Sequence, residues 1–572
     1  MIVDFITIPG IILVIGALIL PLLPKAVRSP AFLVFPVIAF VFVLMRPDGF
    51  TISGSIAGLE LTLMKVDALS RIFGIIFAAT AFTAGVYAFH LKDLGQQCNA
   101  LVYAGSGLGV VFAGDLFTLI VFWELMAVSS TWLVWAARNE ESDKAGMRYL
   151  IFHVLGGGLL FFGILWHFTE TGSLQVQSLA REYSPANVLM LTGVCVNAAV
   201  PPLHAWLADA YPRATVTGAV FMSAFTTKSA VYVLVRVFPG WEVLMWFGAV
   251  MAIYGVIYAV ICKDIREILA YHIISQVGFM VAGVGVGTEM ALNGTTAHAY
   301  SHILYKSLLF MGTGAVLYAT GTSKMIHLGG LAKKMRWTLI LYMVGAFSIS
   351  GLPLFNGFIS KSMTIDAAGA AHHEIPMMML LLASVGTFLS VGLKLPYYTW
   401  FSKDDTDLEI KPLPKNMYVA MGIVAFLCIF YGLFPNTLYV YLPFPVDYEP
   451  FTVYHLVEIS QICILTFVGF WIFRKKMAAE KIIALDLDWF YRKPAPAFRM
   501  VFVQFTDAAF GWVEDAVVAL SKYLSLKFKN PMEWLNPFTK HGNQASTYSP
   551  AMEVIMSFIL FTIIATGIFL MF

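Results

Sequence analysis

The chain has 572 residues, 59% of them hydrophobic and 12% charged, and a mean hydropathy of +0.79. A soluble protein of this size has no use for so much apolar surface, and a formal net charge of +2 gives no basis for binding nucleic acid. The five cysteines (Cys98, Cys195, Cys262, Cys428 and Cys463) are far apart and form no CxxC pair, which argues against iron–sulfur clusters, zinc and a disulfide framework; no cofactor and no metal is expected.

Apolar runs of about 16–25 residues recur from the N-terminus to Phe572, matching the roughly 20 residues a helix needs to cross the hydrocarbon. They are continuous, not alternating, which disfavours barrel strands. The expectation is an all-α polytopic membrane protein with about sixteen crossings. The first run has no basic stretch before it and no clear cleavage site, so it reads as a retained span.

Lys and Arg fall mostly in connections after odd-numbered spans: Lys25 and Arg28, Arg138 and Lys144, Lys263 and Arg266, Lys333 to Arg336, and Arg474 to Lys476. The even connections hold little beyond Arg46, Lys65 and Arg181. The positive-inside rule then places the N-terminus outside the cell membrane.

Charges inside the apolar runs mark the chemistry, because each costs about 2.5–3.5 kcal/mol at the bilayer centre. Asp67 and Arg71 stand at a span entrance, where they either pair locally or tune the charges along the path. Glu124 lies mid-span in TLIVFWELMAV with no basic residue one turn away. Lys228, in SAFTTKSAVYVLV, is equally deep. A desolvated lysine near an acid gains and loses a proton near neutrality; a static interhelical ion pair is the plainer reading. Arg236, at the end of the same helix, reads as a snorkelling side chain.

Two segments look alike: VCVNAAVPPLHAWLADA, followed by the helix of Lys228, and FSISGLPLFNG, followed by Lys361. Both read as apolar helices interrupted at proline. Paired interrupted helices in the halves of a transporter point to its ion pathway; two ordinary helix ends are the alternative. Between them His298, His302 and Lys306 fall at i, i+4 and i+8 on one helix face. Two histidines at that spacing suit zinc, but the third group is a lysine, so a proton relay fits better. Lys394 precedes Pro396, Tyr397, Tyr398 and Trp400, an interface-like cluster that also suggests snorkelling. The glycine runs GSGLG (105–109) and GVGVG (283–287) lack a strand–turn–helix context, so close helix packing explains them.

The core is expected over residues 1–435 and a C-terminal extension over 436–572. The extension holds a span, a segment at 497–529 and a closing span at 551–571. In 497–529, Gln504, Asp507, Gly511, Glu514, Lys522, Ser525 and Lys529 recur every three or four residues. That is one polar stripe on an apolar helix about 45–50 Å long at a rise of about 1.5 Å per residue, lying along the membrane surface rather than crossing it, on the cytoplasmic side.

The motifs VDALS (66–70), FWELM (122–126), PPLHAWLADAYPRATVTGAV (201–220), TTKSAVYVLVR (226–236), DIREILAYHIISQVGF (264–279), HILYKSLLF (302–310), LGGLAKKM (328–335) and GLPLFNGFISK (351–361) together resemble the proton-translocating antiporter-like family. That family holds the A-type and D-type components of Mrp Na⁺/H⁺ antiporters and the three large membrane subunits of complex I, and the D type looks closest. The resemblance implies a 14-helix core of two inverted repeats with interrupted helices. It implies a first half-channel of Glu124 and Lys228, a central connection through His302 and Lys306, and Lys361 in the second half-channel. The family carries a lysine where DIREILAY has Arg266; arginine does not release a proton in proteins, so Arg266 would tune or steer while His272 substitutes. The tail resembles the lateral-helix arm found in the distal membrane component of complex I and in membrane-bound hydrogenases, which implies partner membrane subunits. The function implied is proton translocation in a multi-subunit Na⁺/H⁺ antiporter, with two alternatives: a pumping subunit of a redox-driven complex, and a non-conducting scaffold. The chain would not be an enzyme alone.

Overall fold

A computed structural model describes residues 2–56, 58–402, 408–478 and 486–529. It divides into two compact units, Met1–Asp488 and Trp489–Phe572.

The first unit is a bundle of helices: α1 (Pro9–Ile19), α2 (Lys25–Met45), α3 (Ala68–Tyr87), α4 (Leu94–Phe112), α5 (Leu116–Trp135), α6 (Glu140–Thr171), α7 (Pro185–Asn197), α8 (Ala205–Arg213), α9 (Thr226–Val237), α10 (Glu242–Ile261), α11 (Ile265–Val286), α12 (Glu289–Thr320), α13 (Arg336–Ser350), α14 (Asn356–Ala370), α15 (Glu374–Thr387), α16 (Lys415–Leu433) and α17 (Val453–Phe473). The turn Gly218–Met222 leads into α9, and π-helical turns carry α15 on to Phe401. Eleven of the described helices are long and apolar enough to cross a membrane. The apolar Pro9–Leu22, α4 and the two interrupted pairs α7/α8 and α13/α14 bring the crossings to fifteen, and the expected closing span at 551–571 lies outside the described residues.

Side chains give the starts their definition. Asp67, Asp93, Asp115, Asn139, Ser184, Asp264 and Thr288 each accept from a backbone N–H of the first turn, satisfying donors a helix N-terminus leaves free. The sequence reading missed one element, the antiparallel hairpin of β1 (Thr51–Ile56) and β2 (Leu59–Lys65). Its alternating LELTLMK and the left-handed Gly58 (φ 82°) are strand and turn signals hidden beside apolar spans.

The inverted repeat is legible in the element order. The set α4, α5, α6, α7/α8, α9 is followed by α10, α11, α12, α13/α14, α15. Each has five crossings, a 32-residue third helix and an interrupted fourth. Five is odd, so the second set starts from the opposite face. The breaks share a detail: Ala199 (φ 58°) and Leu354 (φ 73°) are both non-glycine residues in the left-handed region, a conformation costing about 1–3 kcal/mol that survives where surrounding structure enforces it. The lysines differ, however. Lys361 lies on the second half of its interrupted crossing, whereas Lys228 lies on the crossing after the break.

The glycine runs do pack closely. A Cβ at Gly105 would lie 2.7 Å from the Gly10 carbonyl oxygen, and one at Gly285 would lie 2.0 Å from the Met245 nitrogen.

In the second unit, π-helical turns at Arg499–Gln504 lead into α18 (Phe505–Phe528). Its side chains are exposed on the apolar as well as the polar face, Phe510, Trp512, Val517 and Leu520 among them.

Candidate functional site

Glu124 projects from the middle of α5 toward α6, where a glycine makes room for it. A Cβ at Gly157 would lie 1.6 Å from Glu124 Oε1. One turn back on α6, His153 is buried, with neither ring nitrogen bonded among the described residues. It stacks on Tyr149 at 4.0 Å between centroids and meets Trp206 edge-on at 4.5 Å. The Tyr149 hydroxyl donates to Ser130 Oγ at 2.9 Å and lies 3.3 Å from Thr226 Oγ1. Two residues on, the fully buried Lys228 Nζ donates to the Ser223 carbonyl (2.7 Å) and to Thr227 Oγ1 (3.0 Å). Among the described residues no ion pair joins Glu124 to Lys228. His153, Tyr149 and Thr226 stand beside these two groups, and sequence reading missed His153: one histidine in an apolar helix carries no pattern of its own.

The central helix α12 brings its predicted face inward. His298 Nδ1 lies 3.2 Å from Ser360 Oγ, His302 has neither nitrogen bonded among the described residues, and Lys306 Nζ donates to the Leu269 carbonyl at 2.8 Å. Lys228, His302 and Lys306 are all fully buried. Among the described residues no group of His, Cys, Asp or Glu is arranged to hold a metal ion. His272 Nε2 meets Ser390 Oγ at 2.5 Å. On α14, Lys361 is 3% exposed with no hydrogen-bond acceptor among the described residues; its ammonium faces the Phe279 ring at 4.7 Å.

Several charges have structural tasks that the sequence did not reveal. Asp67 pairs with Arg236, not Arg71, through two bonds of 2.5 and 2.7 Å, and Arg71 pairs with Asp48. The end of α9 returns beside the start of α3, so Arg236 is held by a carboxylate and does not snorkel. Arg266 is buried and donates to the Ala214 and Thr215 carbonyls at 2.9 and 3.1 Å, clamping the end of α8. Lys394 is also buried, not snorkelling: it donates to the Val260 and Cys262 carbonyls at 2.5 and 2.7 Å, closing the C-terminus of α10, where a cation suits the helix dipole. Lys394→Met is expected to lower the stability of the purified protein by about 2 kcal/mol, the cost of stranding buried carbonyls; a thermal unfolding midpoint unchanged from wild type would contradict this role.

His204, just past the α7 break, meets Asp486 at 3.2 Å. Tyr271 donates to the same carboxylate at 2.5 Å, and Tyr254 also donates to it. Burial pushes the Asp486 carboxyl up, but the hydrogen bonds from His204, Tyr254 and Tyr271 outweigh it and hold the pKa down at about 2. With the folded pKa lowered, this contribution is complete above about pH 4, the ordinary carboxylate range, and is lost as pH falls toward 2. Asp486→Ala is expected to release this segment, read as faster tryptic cleavage after Arg492; an unchanged rate would show that the carboxylate holds nothing.

Residues 113–390 match the family described as NADH:quinone oxidoreductase/Mrp antiporter, TM. An uncharacterized protein of Methanocaldococcus jannaschii is 30% identical over 364 residues, covering 60% of this chain and 75% of that one. A Na⁺/H⁺ antiporter subunit of Alkalihalophilus pseudofirmus is 30% identical over 432 residues, covering 67% of this chain and 53% of that one. In fold, a chain of the membrane-bound sulfane sulfur reductase, an archaeal respiratory membrane complex, superimposes with a TM-score of 0.69 at 23% identity, covering 81% of this chain and 99% of that one. With the repeated interrupted helices and the buried lysines of its core, this chain belongs to the NADH:quinone oxidoreductase/Mrp antiporter family of membrane subunits.

Proposed function

We propose that the chain is the proton-translocating subunit of a multi-subunit monovalent cation/proton antiporter, with Na⁺ the first cation to test. The observation that carries the reading is the succession of titratable side chains through both repeats: the half-buried Glu124 and the buried Lys228, His302, Lys306 and Lys361. Lys228 and Lys306 are held by neutral carbonyl and hydroxyl oxygens, which leaves their protons free to move, and the repulsion of like charges in one bundle lets one protonation drive the next. His298 lines the step toward Lys361. Arg266, held by two carbonyls, contributes a fixed positive charge, and His272, which meets Ser390, substitutes for the family's lysine. In this reading the positive-inside bias sets the N-terminus outside the cell membrane, the exposed apolar side of α18 meets partner subunits, and α18 lies on the cytoplasmic side.

The second reading is a pumping subunit of a redox-driven complex, favoured by the fold shared along 99% of a respiratory complex's chain. The two are separated by adding Na⁺, K⁺ or Li⁺ to everted vesicles that hold the intact complex and a preformed pH gradient. Dissipation on cation addition is expected. A gradient indifferent to every cation, but built up on feeding a reductant, would replace the antiporter with the redox-driven pump; neither response would leave a scaffold.

A further inference from the structure

We propose that the cleft beside Lys361 is the port through which this chain exchanges protons with the aqueous phase on the face of the β-hairpin, with Asp366, His455 and Glu458 as its proton-handling groups. The inference rests on the proton-translocating reading above and adds the place where the path reaches water.

The cleft has a cavity volume of about 30 Å³ and lies between α14, α15 and α17, lined by Lys361, Ser362, Asp366, Ser384, His455 and Glu458. Lys361 is the deep end: buried, without an acceptor among the described residues, and one of the groups lining the space. Asp366 is five residues nearer the helix end that faces the hairpin side. His455 and Glu458 come from the first turns of α17, outside the segment 113–390 that carries the family match.

The bonding at the mouth fixes where a proton sits. His455 Nδ1 lies 3.0 Å from the Pro450 carbonyl oxygen. A carbonyl only accepts, so Nδ1 carries a hydrogen. His455 Nε2 faces Asp366 Oδ2 at 2.9 Å, a contact that needs one proton between them. That proton belongs either to an imidazolium or to a carboxylic acid. The Tyr448 hydroxyl donates to the same Oδ2 at 2.6 Å, and the Tyr454 hydroxyl reaches Glu458 Oε1 at 3.5 Å. The pair thus holds one transferable proton at the end of a cleft whose other end is a lysine.

The groups facing the cleft are accounted for from each element: Lys361, Ser362 and Asp366 from α14, Ser384 from α15, and His455, Glu458 and Cys463 from α17, with Tyr448 from the preceding loop. On release, an N–H bond of the Lys361 ammonium breaks and an O–H bond forms on Glu458 or on water in the cleft. The Asp366–His455 pair gives its shared proton to the aqueous phase and takes up the next. Uptake runs the same steps in reverse.

The test uses the intact complex in vesicles, comparing wild type, Lys228→Ala, Asp366→Asn, Glu458→Gln and His455→Gln at matched assembly. Proton flux is expected to fall about tenfold or more in Asp366→Asn and Glu458→Gln, with Asp366→Glu restoring it. In His455→Gln flux is expected to fall in the same way, because the contact with Asp366 no longer holds a transferable proton. In a cysteine-free background, Ser362→Cys is expected to react with a membrane-impermeant cationic thiol reagent from one face only. Wild-type flux in the port variants, with Lys228→Ala inactive, overturns the port and leaves the broader reading standing. A Ser362→Cys inert from both faces overturns the port whatever the fluxes. A wild-type complex that moves no protons overturns the reading and the port with it.

Discussion

Replacing Gly157 with leucine is expected to stop proton flux through the assembled complex, a loss of at least about a hundredfold, the scale set by removing a positioned proton acceptor. The ground is steric. A single Cβ at this position would sit 1.6 Å from Glu124 Oε1, so any side chain there expels the carboxylate from its place between α5 and α6. Glu124→Gln, which keeps the shape and removes the proton acceptor, is expected to produce the same loss. The pair also separates chemistry from packing. In Glu124→Ala/Gly157→Ala the clash is gone, so assembly should match wild type while flux stays absent. Full flux in Gly157→Leu would mean that Glu124 carries no protons from that position. The assay is the rate of pH-gradient dissipation in vesicles, normalised to the complex present.

Lys306 supports an equally large effect with a sharper chemical control. Its Nζ is fully buried and bonded to the Leu269 carbonyl. Lys306→Met removes the titratable group and is expected to lower flux about a hundredfold. Lys306→Arg keeps the positive charge but cannot release a proton, so it is expected to be as inactive as the methionine variant. If the lysine were only a fixed charge that organises the centre of the bundle, arginine would preserve flux. Substantial activity in Lys306→Arg therefore contradicts a relay through this residue. The natural Arg266 shows the contrast: its guanidinium is tied to the end of α8 by two carbonyls, the bonding of a clamp.

The sequence made the helices, their interruptions and the deep charges legible because each leaves a local signal. Apolar runs set the spans, prolines mark the breaks, and a lysine within an apolar run stands out by its cost. Partners were not legible, because they depend on contacts between distant segments. Asp67 meets Arg236 across 169 positions, and Asp486 meets His204 across 282; nothing in either neighbourhood names the other. Lys394 shows the same limit from the other side. Its aromatic neighbours matched the pattern of an interfacial lysine, yet the carbonyls ending α10 hold it inside. His153 and Gly157 lie in an unbroken apolar helix, and only the packing of α6 on α5 shows what they face. Among the described residues, the hairpin β1–β2 was hidden for a related reason: six or seven alternating residues are a faint signal beside spans of twenty.

The central claim is that protons pass through this chain by way of its buried lysines, and Lys228 is the place to test it. The measurement is cation-driven dissipation of a pH gradient in everted vesicles, with the wild-type complex set beside Lys228→Ala at equal assembly. Among the described residues Lys228 bonds only to a carbonyl and a hydroxyl of its own segment, so its loss spares the fold around it. Dissipation by wild type that Lys228→Ala abolishes is the expected result. Equal rates in the two would contradict the account, because protons would then be moving by a route that does not need this lysine.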